Sequence, residues 1–288
     1  MNPYDIELDL QAARDSGPVK TLVIPPCPEL LVQLQQVMDC ADPDLHAVAR
    51  IARSDVAMSA VLLKLVNSAL YARSTPVVTV EQAMSTLGLR QTAAMLTGFL
   101  VRSALPVNSP LLGQFWEHSG RRALALAHIA RQLYDLEPDL AHTMGLFCHV
   151  GLPVMLKGLR GYAGTLVEAR ARTDRSFIAT ENAAHRTDHA VVGALVARTW
   201  RMAPTLQMAV RLHHDFEILH DEQLPLEVRT LVAANLLADH IVHGFDSDTP
   251  EADWQAHGHA CMEFLSVTEI ELTDWTDSLH ETFAALAD

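Results

Sequence analysis

Apolar residues recur at helical spacing along the 288-residue chain, and this periodicity restricts the fold more than any other feature. The pattern is clearest in the segments that begin at Leu30, Asp55, Leu89 and Leu111. No stretch of useful length alternates apolar and polar residues, as a half-buried strand would. Apolar residues make up 49% of the chain, which is enough for a sizeable core. The sequence therefore predicts an all-α protein.

Proline and polar residues interrupt the helical pattern at Pro106–Pro110. We interpret this segment as the boundary between two adjoining helical subdomains. The predicted parts are an N-terminal extension (1–23), a first helical bundle (24–105), a second helical subdomain (106–243), and a loop with a C-terminal helix (244–288). The N-terminal extension is interpreted either as a mobile arm or as a helix packed on the body.

The C-terminal part begins with an acidic segment, Gly244–Gly258, that we interpret as an irregular loop. Ser266 and Glu269 have the spacing of a capping box, which predicts the start of a final helix. Because an isolated amphipathic helix is only marginally stable, its face with Trp275 and Phe283 is expected to pack on the rest of the protein.

The charge balance limits the classes of partner. Acidic residues outnumber basic ones, 35 against 21, and the formal net charge is -14. Phosphate binding requires a basic surface, so nucleic acid and an anionic membrane surface are both disfavoured. The longest uncharged run is shorter than the roughly 20 residues of a membrane-spanning helix. The N-terminus lacks the basic and apolar regions of a secretory signal, so we expect a cytoplasmic protein.

Histidines are unusually frequent, and several lie on predicted helices in the second half of the chain. These histidines and one later aspartate are the candidate metal ligands: His118, His149, His189, His213, His214 and Asp239. Imidazoles and carboxylates that converge from different helices can bind a cation and support metal-dependent hydrolysis. The alternative is that each histidine caps a helix or is hydrogen-bonded in the core, and for any single histidine this alternative is favoured. No nucleophile elbow, Walker A loop or HExxH helix is present.

Several longer motifs resemble a known family. They are IPPCPELLVQL from residue 24, DVAMSAVLLKLVNSALY from 55, VEQAMSTLGL from 80, FWEHS from 115, LFCHVGLPVML from 146 and HAVVGALVARTW from 189. Together they resemble the HDOD domain, a bacterial signalling module related to the HD and HD-GYP phosphohydrolases. The resemblance covers about residues 24–243 and implies that the second subdomain is an HD-like helical bundle.

The resemblance also assigns roles to the candidate ligands. His118 matches the first histidine of the catalytic relatives, and His149 matches the histidine of their His-Asp pair. His189, His213 and His214 match the further histidines, and Asp239 matches the closing aspartate. The aspartate of the His-Asp pair is replaced by Val150, which supplies no ligand. Pro153 stands where HD-GYP proteins are expected to carry a lysine.

The loss of an anionic ligand weakens a site for hard cations, because neutral imidazoles compensate poorly for magnesium or manganese. Together with this loss, the HDOD resemblance implies a non-enzymatic signal-transduction protein that acts through contacts with signalling proteins. No cofactor is expected, and at most a single, weakly held transition metal such as zinc or iron is bound. The alternative is a metal-dependent phosphohydrolase with an atypical metal site, acting on a nucleotide or cyclic dinucleotide.

Asn67 lies near the end of an apolar helix, where polar side chains commonly cap backbone groups. We expect Asn67 to be largely buried and hydrogen-bonded to the backbone, so that it ties the helix end to the loop over Ser74–Thr79. The functional alternative is an asparagine that binds a partner.

Overall fold

The structure, a computed structural model, describes residues 3–15, 17–68, 76–172, 174–247 and 251–287. Every regular element in these ranges is helical, which confirms the predicted all-α fold. The helices of the first part are α1 (Pro3–Asp15), α2 (Glu29–Met38), α3 (Leu45–Arg53), α4 (Val56–Val66), α5 (Val80–Leu87) and α6 (Leu89–Ala104). Those of the second part are α7 (Phe115–Gln132), α8 (Pro138–Phe147), α9 (Gly151–Gly158), α10 (Tyr162–Ala171), α11 (Phe177–His185), α12 (His189–Thr199), α13 (Pro204–Leu212), α14 (Leu226–Asp246), α15 (Ala252–Leu265) and α16 (Glu269–Ala287). None of the described helices is long and apolar enough to cross a membrane.

The helices pack into two compact units. Unit 1 comprises residues 1–26 and 105–275, and unit 2 comprises residues 27–104 and 276–288. Helix α1 belongs to unit 1, contacts α12 and buries Ile6 and Leu10. Of the two interpretations of the N-terminal segment, the structure therefore has the packed helix.

Local sequence signals fix several helix ends in unit 2. The Asp55 side chain accepts hydrogen bonds from two amides at the start of α4. Thr79 and Gln82 form a complete capping box at the start of α5. Gly88 ends α5 with a φ of 80°, a left-handed value that glycine adopts without steric cost.

Asn67 is bound to the backbone as expected, but it is not buried. Its Nδ2 donates to the Val77 carbonyl at 2.8 Å, and its Oδ1 accepts from the Val77 amide at 2.7 Å. This two-way pair ties the end of α4 to the segment before α5. The expected burial is wrong, since Asn67 is exposed: its side chain reaches the Val77 backbone from the outside, through hydrogen bonds that are only partly buried. Residues 69–75, including the end of the LVNSALY motif and Ser74, lie outside the described residues.

The predicted irregular loop over Gly244–Gly258 is wrong, because α14 continues to Asp246 and α15 begins at Ala252. The acidic residues that suggested a loop instead suit the first turn of α15, where Asp253 meets the positive end of the helix dipole. The expectation failed because acidic residues and Pro250 precede α15 and few of its residues are buried, Gly258 and Cys261 being the two.

The final helix, α16, also starts differently from the prediction. Ser266 has left-handed backbone angles and ends α15. The capping box is formed by Thr268 and Glu271 instead, with the Glu271 amide donating to Thr268 Oγ1 and the Thr268 amide donating to Glu271 Oε2. On α16, Phe283 is buried as expected, whereas Trp275 is half-buried.

Candidate functional site

Four of the candidate histidines lie together in unit 1. They are His149, His189, His213 and His214, and one ring nitrogen of each lies within 4.8 Å of the others. We call this group the four-histidine cluster. Each member stands at a helix end: His149 lies between α8 and α9, His189 opens α12, and His213 and His214 follow α13. The chain changes direction at a helix end, so side chains from the ends of different helices can face the same point.

Close backbone packing brings two of these ends together. Gly151, at the start of α9, faces the backbone of His189 at the start of α12. A Cβ atom at position 151 would lie 2.0 Å from the His189 carbonyl oxygen and 2.9 Å from the Gly193 amide nitrogen. Only glycine permits this approach, which places His149 beside His189.

Three histidines of the cluster are held by hydrogen bonds from Nδ1. His189 Nδ1 is 2.7 Å from Glu181 Oε2, and His214 Nδ1 is 2.9 Å from Asp253 Oδ2. His213 Nδ1 is 2.7 Å from the Val210 carbonyl oxygen. Since carboxylate and carbonyl oxygens accept, each Nδ1 carries the proton, an assignment made from its partner. Each Nε2 therefore directs its lone pair into the cluster.

The Nε2 atoms lie very close to one another. His189 Nε2 is 3.3 Å from His213 Nε2 and 3.2 Å from His214 Nε2. His149 Nε2 is buried and has no hydrogen-bond partner among the described residues. Lone pairs at these distances repel each other unless a proton or a cation lies between them.

Electrostatics favours the neutral imidazole at two positions of the cluster, His149 and His213. Burial holds the pKa of His149 well below its ordinary value, and the charge of Arg122 acts in the same direction. Burial also holds the pKa of His213 well below its ordinary value, and the neighbouring His214 adds to this effect. A neutral imidazole is the form that binds a metal ion.

These donors fit a transition metal. With metal–nitrogen distances of about 2.0–2.1 Å, two imidazole nitrogens on a tetrahedral zinc lie roughly 3.3 Å apart. The observed Nε2 separations of 3.2 and 3.3 Å match this value. Carboxylate and carbonyl partners on the other ring nitrogen are typical of histidine ligands. The cluster can therefore hold a metal ion through His149, His189, His213 and His214, with nitrogen donors that suit zinc, copper, iron or nickel.

Glu181 supplies a buried negative charge behind the cluster. Its side chain is fully buried and accepts hydrogen bonds from the Tyr162 hydroxyl and from His189, through both the His189 amide and Nδ1. A buried carboxylate is stable only when it is well hydrogen-bonded or near a positive charge. Three hydrogen bonds stabilise Glu181, and the one to Nδ1 orients the His189 ring within the cluster.

Asp239 lies outside the cluster and is bound to a basic side chain. Arg122 Nε donates to Asp239 Oδ1, and Asn235 Nδ2 donates to Asp239 Oδ2 at 2.9 Å. Although burial lowers the pKa of Arg122, the carboxylate of Asp239 raises it above its ordinary value. Arg122 is thus permanently charged, and its ion pair engages the Asp239 carboxylate that was expected to bind a metal ion.

His118 is also outside the cluster. Its Nε2 lies 3.2 Å from Asp246 Oδ2, and burial lowers its pKa. Val150 is fully buried and lies at the start of α9, with no oxygen atom to offer a cation. Burial raises the pKa of the Cys148 thiol to about 12, which excludes an activated thiolate there.

One cavity connects these groups. It has a volume of about 210 Å³. Its lining includes His118, Asp239 and three members of the four-histidine cluster, His149, His213 and His214. The charged residues of its lining are four carboxylates, Asp239, Asp246, Glu251 and Asp253, and one arginine, Arg122. The lining is therefore acidic and favours a cation over an anion.

Three residues important to the site were not found from the sequence: Arg122, Glu181 and Asp253. Arg122 has no motif of its own, since it is one charged residue on an amphipathic helix. Glu181 lies on α11, a helix that the sequence analysis did not identify. Asp253 lies in the segment that was interpreted as a loop. In the sequence, each of these residues is a charged side chain next to apolar ones. That pattern suggests burial but does not identify the side chain with which the charge pairs.

The comparisons with known proteins agree with the fold. A family model described as the HDOD domain matches residues 24–216, more than half of the chain. The chain belongs to the HDOD domain family.

Solved structures of several bacterial proteins are similar to this one. An HDOD domain protein of unknown function from Geobacter sulfurreducens is 20% identical, with a TM-score of 0.76 and coverage of 99% of both chains. A candidate signal-transduction protein from Marinobacter aquaeolei VT8 is 15% identical, with a TM-score of 0.77 over 100% of this chain and 65% of the other. A candidate phosphohydrolase from Shewanella amazonensis SB2B is 20% identical, with a TM-score of 0.71 over 96% and 95%. At these identities the likeness shows the fold alone.

A curated relative, an uncharacterized protein from Treponema pallidum (strain Nichols), is 23% identical over 288 residues. The alignment covers 98% of this chain and 54% of the relative, so this chain spans about half the length of that protein.

Proposed function

We propose that this protein is a non-enzymatic regulator in signal transduction, which acts through contacts with signalling proteins. A regulatory role is supported by its membership of the HDOD family and by its likeness to a candidate signal-transduction protein. The proposal that the protein does not catalyse hydrolysis rests on the side chains at the cavity. Val150 offers no ligand, and Asp239 is bound to Arg122 and Asn235.

This arrangement opposes hydrolysis for a physical reason. A hydrolytic metal site needs a cation with an open coordination position and anionic groups that hold it near the substrate. In this chain, four imidazoles lie close together. Asp239, the one carboxylate among the predicted ligands, forms an ion pair with Arg122 instead. We propose that the cluster holds a single transition-metal ion with a structural or sensing role.

Contacts with other proteins are supported by the surface of unit 2. Val56 is 87% exposed and Val78 is 71% exposed. Association with a partner that covers these side chains is favourable, because it removes apolar surface from water. The acidic charge of the chain disfavours nucleic acid and anionic membranes as the alternative partners.

A metal-dependent phosphohydrolase is the second candidate. The observation in its favour is that the cluster borders the acidic cavity, so a bound metal ion would adjoin space for a small substrate. When bound, zinc or iron supplies Lewis acidity. His118 lines the same cavity and, as a neutral imidazole, is able to accept a proton there.

One experiment separates the two candidates. The full chain is purified without chelators, its metal content is measured by mass spectrometry, and hydrolysis of cyclic dinucleotides and simple phosphate esters is assayed with added manganese, iron and zinc. We expect at most one metal ion per chain and no turnover. Turnover that is abolished by His149→Ala but retained by His128→Ala, a half-buried histidine outside the cluster, would support the phosphohydrolase.

The regulatory proposal has its own test. Affinity capture from the native organism is carried out with the wild-type chain and with Val56→Asp, since a charge at this exposed position disturbs an interface without disturbing the core. We expect signalling proteins among those captured by the wild type and their loss with the variant. Capture that is the same for both chains would exclude Val56 from the interface.

A further inference from the structure

Helix α15 lies outside the segment that matches the family, yet it supplies a hydrogen bond to the four-histidine cluster. The family match ends at residue 216, whereas α15 spans Ala252–Leu265. Asp253, in the first turn of α15, accepts the Nδ1 proton of His214 at 2.9 Å. A carboxylate in this position fixes the tautomer and ring orientation of a histidine ligand and makes it more basic. Asp253 is therefore a positioning residue for the cluster.

The other contacts of α15 also surround the cluster. Glu251, which immediately precedes the helix, lies 3.3 Å from His240 Nδ1 and 3.7 Å from His243 Nδ1. Trp254 stacks on His240 with ring centroids 3.8 Å apart and an interplanar angle of 4°. These contacts attach the start of α15 to α14, on one side of the cavity.

A second stacking contact attaches α15 next to the ligands themselves. His257 stacks on Phe216, with ring centroids 4.6 Å apart. Phe216 follows His213 and His214 after a single intervening residue, and its side chain lines the cavity. The position of α15 is therefore set by residues directly adjacent to the cluster.

Trp254 can stack in this way because Gly258 leaves room for it. A Cβ atom at position 258 would lie 2.7 Å from the indole ring of Trp254. Substitution to alanine would force the indole away from His240, while it keeps every carboxylate of the site and raises the helix propensity of α15. This position offers a way to disturb the docking of α15 without altering a hydrogen bond to the cluster.

We propose that a transition-metal ion in the four-histidine cluster and the docking of α15 stabilise each other, with Asp253 as the residue that joins them. Linkage is reciprocal: if docked α15 strengthens metal binding through His214, the metal strengthens docking by the same factor. The metal state of the cluster is thereby converted into the position of a surface helix, which a signalling partner can recognise. This inference rests on the proposed function only in that the cluster binds a metal.

The test uses the full chain, stripped of metal and titrated with zinc. Zinc affinity is measured by competition with a chromophoric chelator, and docking by amide hydrogen exchange over residues 252–265. In the wild type, we expect zinc to slow exchange in α15 more than in residues 125–132 of α7, which belong to unit 1, hold no residue of the site and report general stabilisation. Asp253→Asn is expected to bind zinc about tenfold or more weakly and to lose most of the zinc-dependent protection.

Two variants complete the design. Asp274→Asn removes the same charge at an exposed position of α16 and is expected to behave like the wild type. Gly258→Ala is expected to weaken zinc binding by a smaller factor and to speed exchange in α15 without zinc. Equal zinc affinity of wild type and Asp253→Asn would overturn the inference. So would zinc binding that protects α15 and residues 125–132 of α7 equally.

The outcomes also distinguish this inference from the proposed function. If the wild type binds zinc and hydrolyses a phosphate ester, the proposed function is wrong. The coupling to α15 is then judged from the hydrogen-exchange data alone. If zinc binds without turnover and α15 does not respond, only the coupling fails. If no metal binds, the metal site and the coupling are both wrong.

Discussion

The two units of this protein bury different kinds of side chain. Unit 2 has an aliphatic core, and Thr92, whose hydroxyl donates to the Gly88 carbonyl, is the one buried polar residue among those described there. Unit 1 buries Arg122, Glu181 and several histidines. An aliphatic core tolerates exchanges of similar volume, whereas each buried polar group needs its own partner. Unit 1 thus buries polar and charged side chains whose desolvation is costly and which a helical fold does not require. Such costly burial is typical of a functional site.

The largest effect is expected from the buried ion pair of unit 1. Arg122→Met or Asp239→Leu alone leaves a charge without its partner, and each is expected to lower the free energy of unfolding by about 3–5 kcal/mol. The double variant is expected to recover much of this loss, because both charges are removed together. Urea unfolding of the four chains measures the coupling.

A surface pair provides the control. Arg172 and Glu168 are joined by a hydrogen bond of 2.8 Å on α10, but both are substantially exposed. Removal of either is expected to leave the unfolding midpoint unchanged, since solvent screens the interaction. Equal losses for the buried and the exposed pair would contradict the contrast between core and surface.

The next effect concerns the glycine that joins α9 to α12. Gly151→Ala places a methyl group 2.0 Å from the His189 carbonyl oxygen, a separation that the packing cannot tolerate. We expect a loss of about 3 kcal/mol from overpacking, together with weaker zinc binding by the displaced cluster. Thermal unfolding and zinc titration measure both results.

Gly164→Ala is the matched control for this substitution. Gly164 lies within α10, and a Cβ atom there would meet nothing within 4 Å. Because alanine has the higher helix propensity, the same substitution is expected to stabilise by up to about 1 kcal/mol. Destabilisation at both positions would show that the close approach at Gly151 is not the cause.

A buried histidine of unit 1 gives a pH-dependent effect. Burial lowers the pKa of His142 to about 4. The unfolded chain takes up a proton near its ordinary pKa of about 6.5, whereas the folded chain does not. The free energy of unfolding therefore falls as the pH drops from 6.5 to 4, by about 2–3 kcal/mol at pH 4.5.

His142→Leu is expected to remove this acid sensitivity. His142 Nδ1 is buried without a hydrogen-bond partner among the described residues, so leucine leaves no donor unpaired there. Urea unfolding at pH 7 and pH 4.5 compares the two chains. An equal loss of stability in the variant between these pH values would assign the acid sensitivity to other groups.

The smallest effect is expected in unit 2. Thr79→Ala removes the capping box of α5, and a loss of about 1 kcal/mol is expected. Thr86→Ser on the same helix keeps its hydroxyl and should change stability less. A loss at Thr79 as large as that at Arg122 would show that the two units do not differ as described.

Much of the helical structure could be predicted from the sequence. The capping box at Thr79 and the glycine at Gly88 are examples of predictable helix ends, because their signals lie within a few residues. Helices α9 and α11 were not predicted. Gly151–Gly158 begins and ends with glycine and contains Pro153, and the buried residues of Phe177–His185 are Thr180 and Glu181, which form no apolar stripe. The capping box at Thr268 was assigned two residues too early, to Ser266, because both positions have the required spacing.

The candidate site was predicted in part for similar reasons. The histidines were marked by their number and by a family resemblance, so they were identified without knowledge of their contacts. Their hydrogen-bond partners were not, because Glu181 and Asp253 belong to helices that the sequence analysis did not recognise. The role of Asp239 also required the structure, which pairs it with Arg122.

The sequence by itself determined the helical class, several helix ends and a set of five candidate histidines, four of which gather in unit 1. These features depend on periodicity, on short-range capping and on residue type, which act within one or two helical turns. The tertiary structure alone decided which charges neutralise each other and which way each imidazole faces. Arg122 meets Asp239 across 117 positions of the chain, and His214 meets Asp253 across 39. Such pairs depend on how helices pack, because the energy of a charge or a lone pair is set by its nearest neighbours in space.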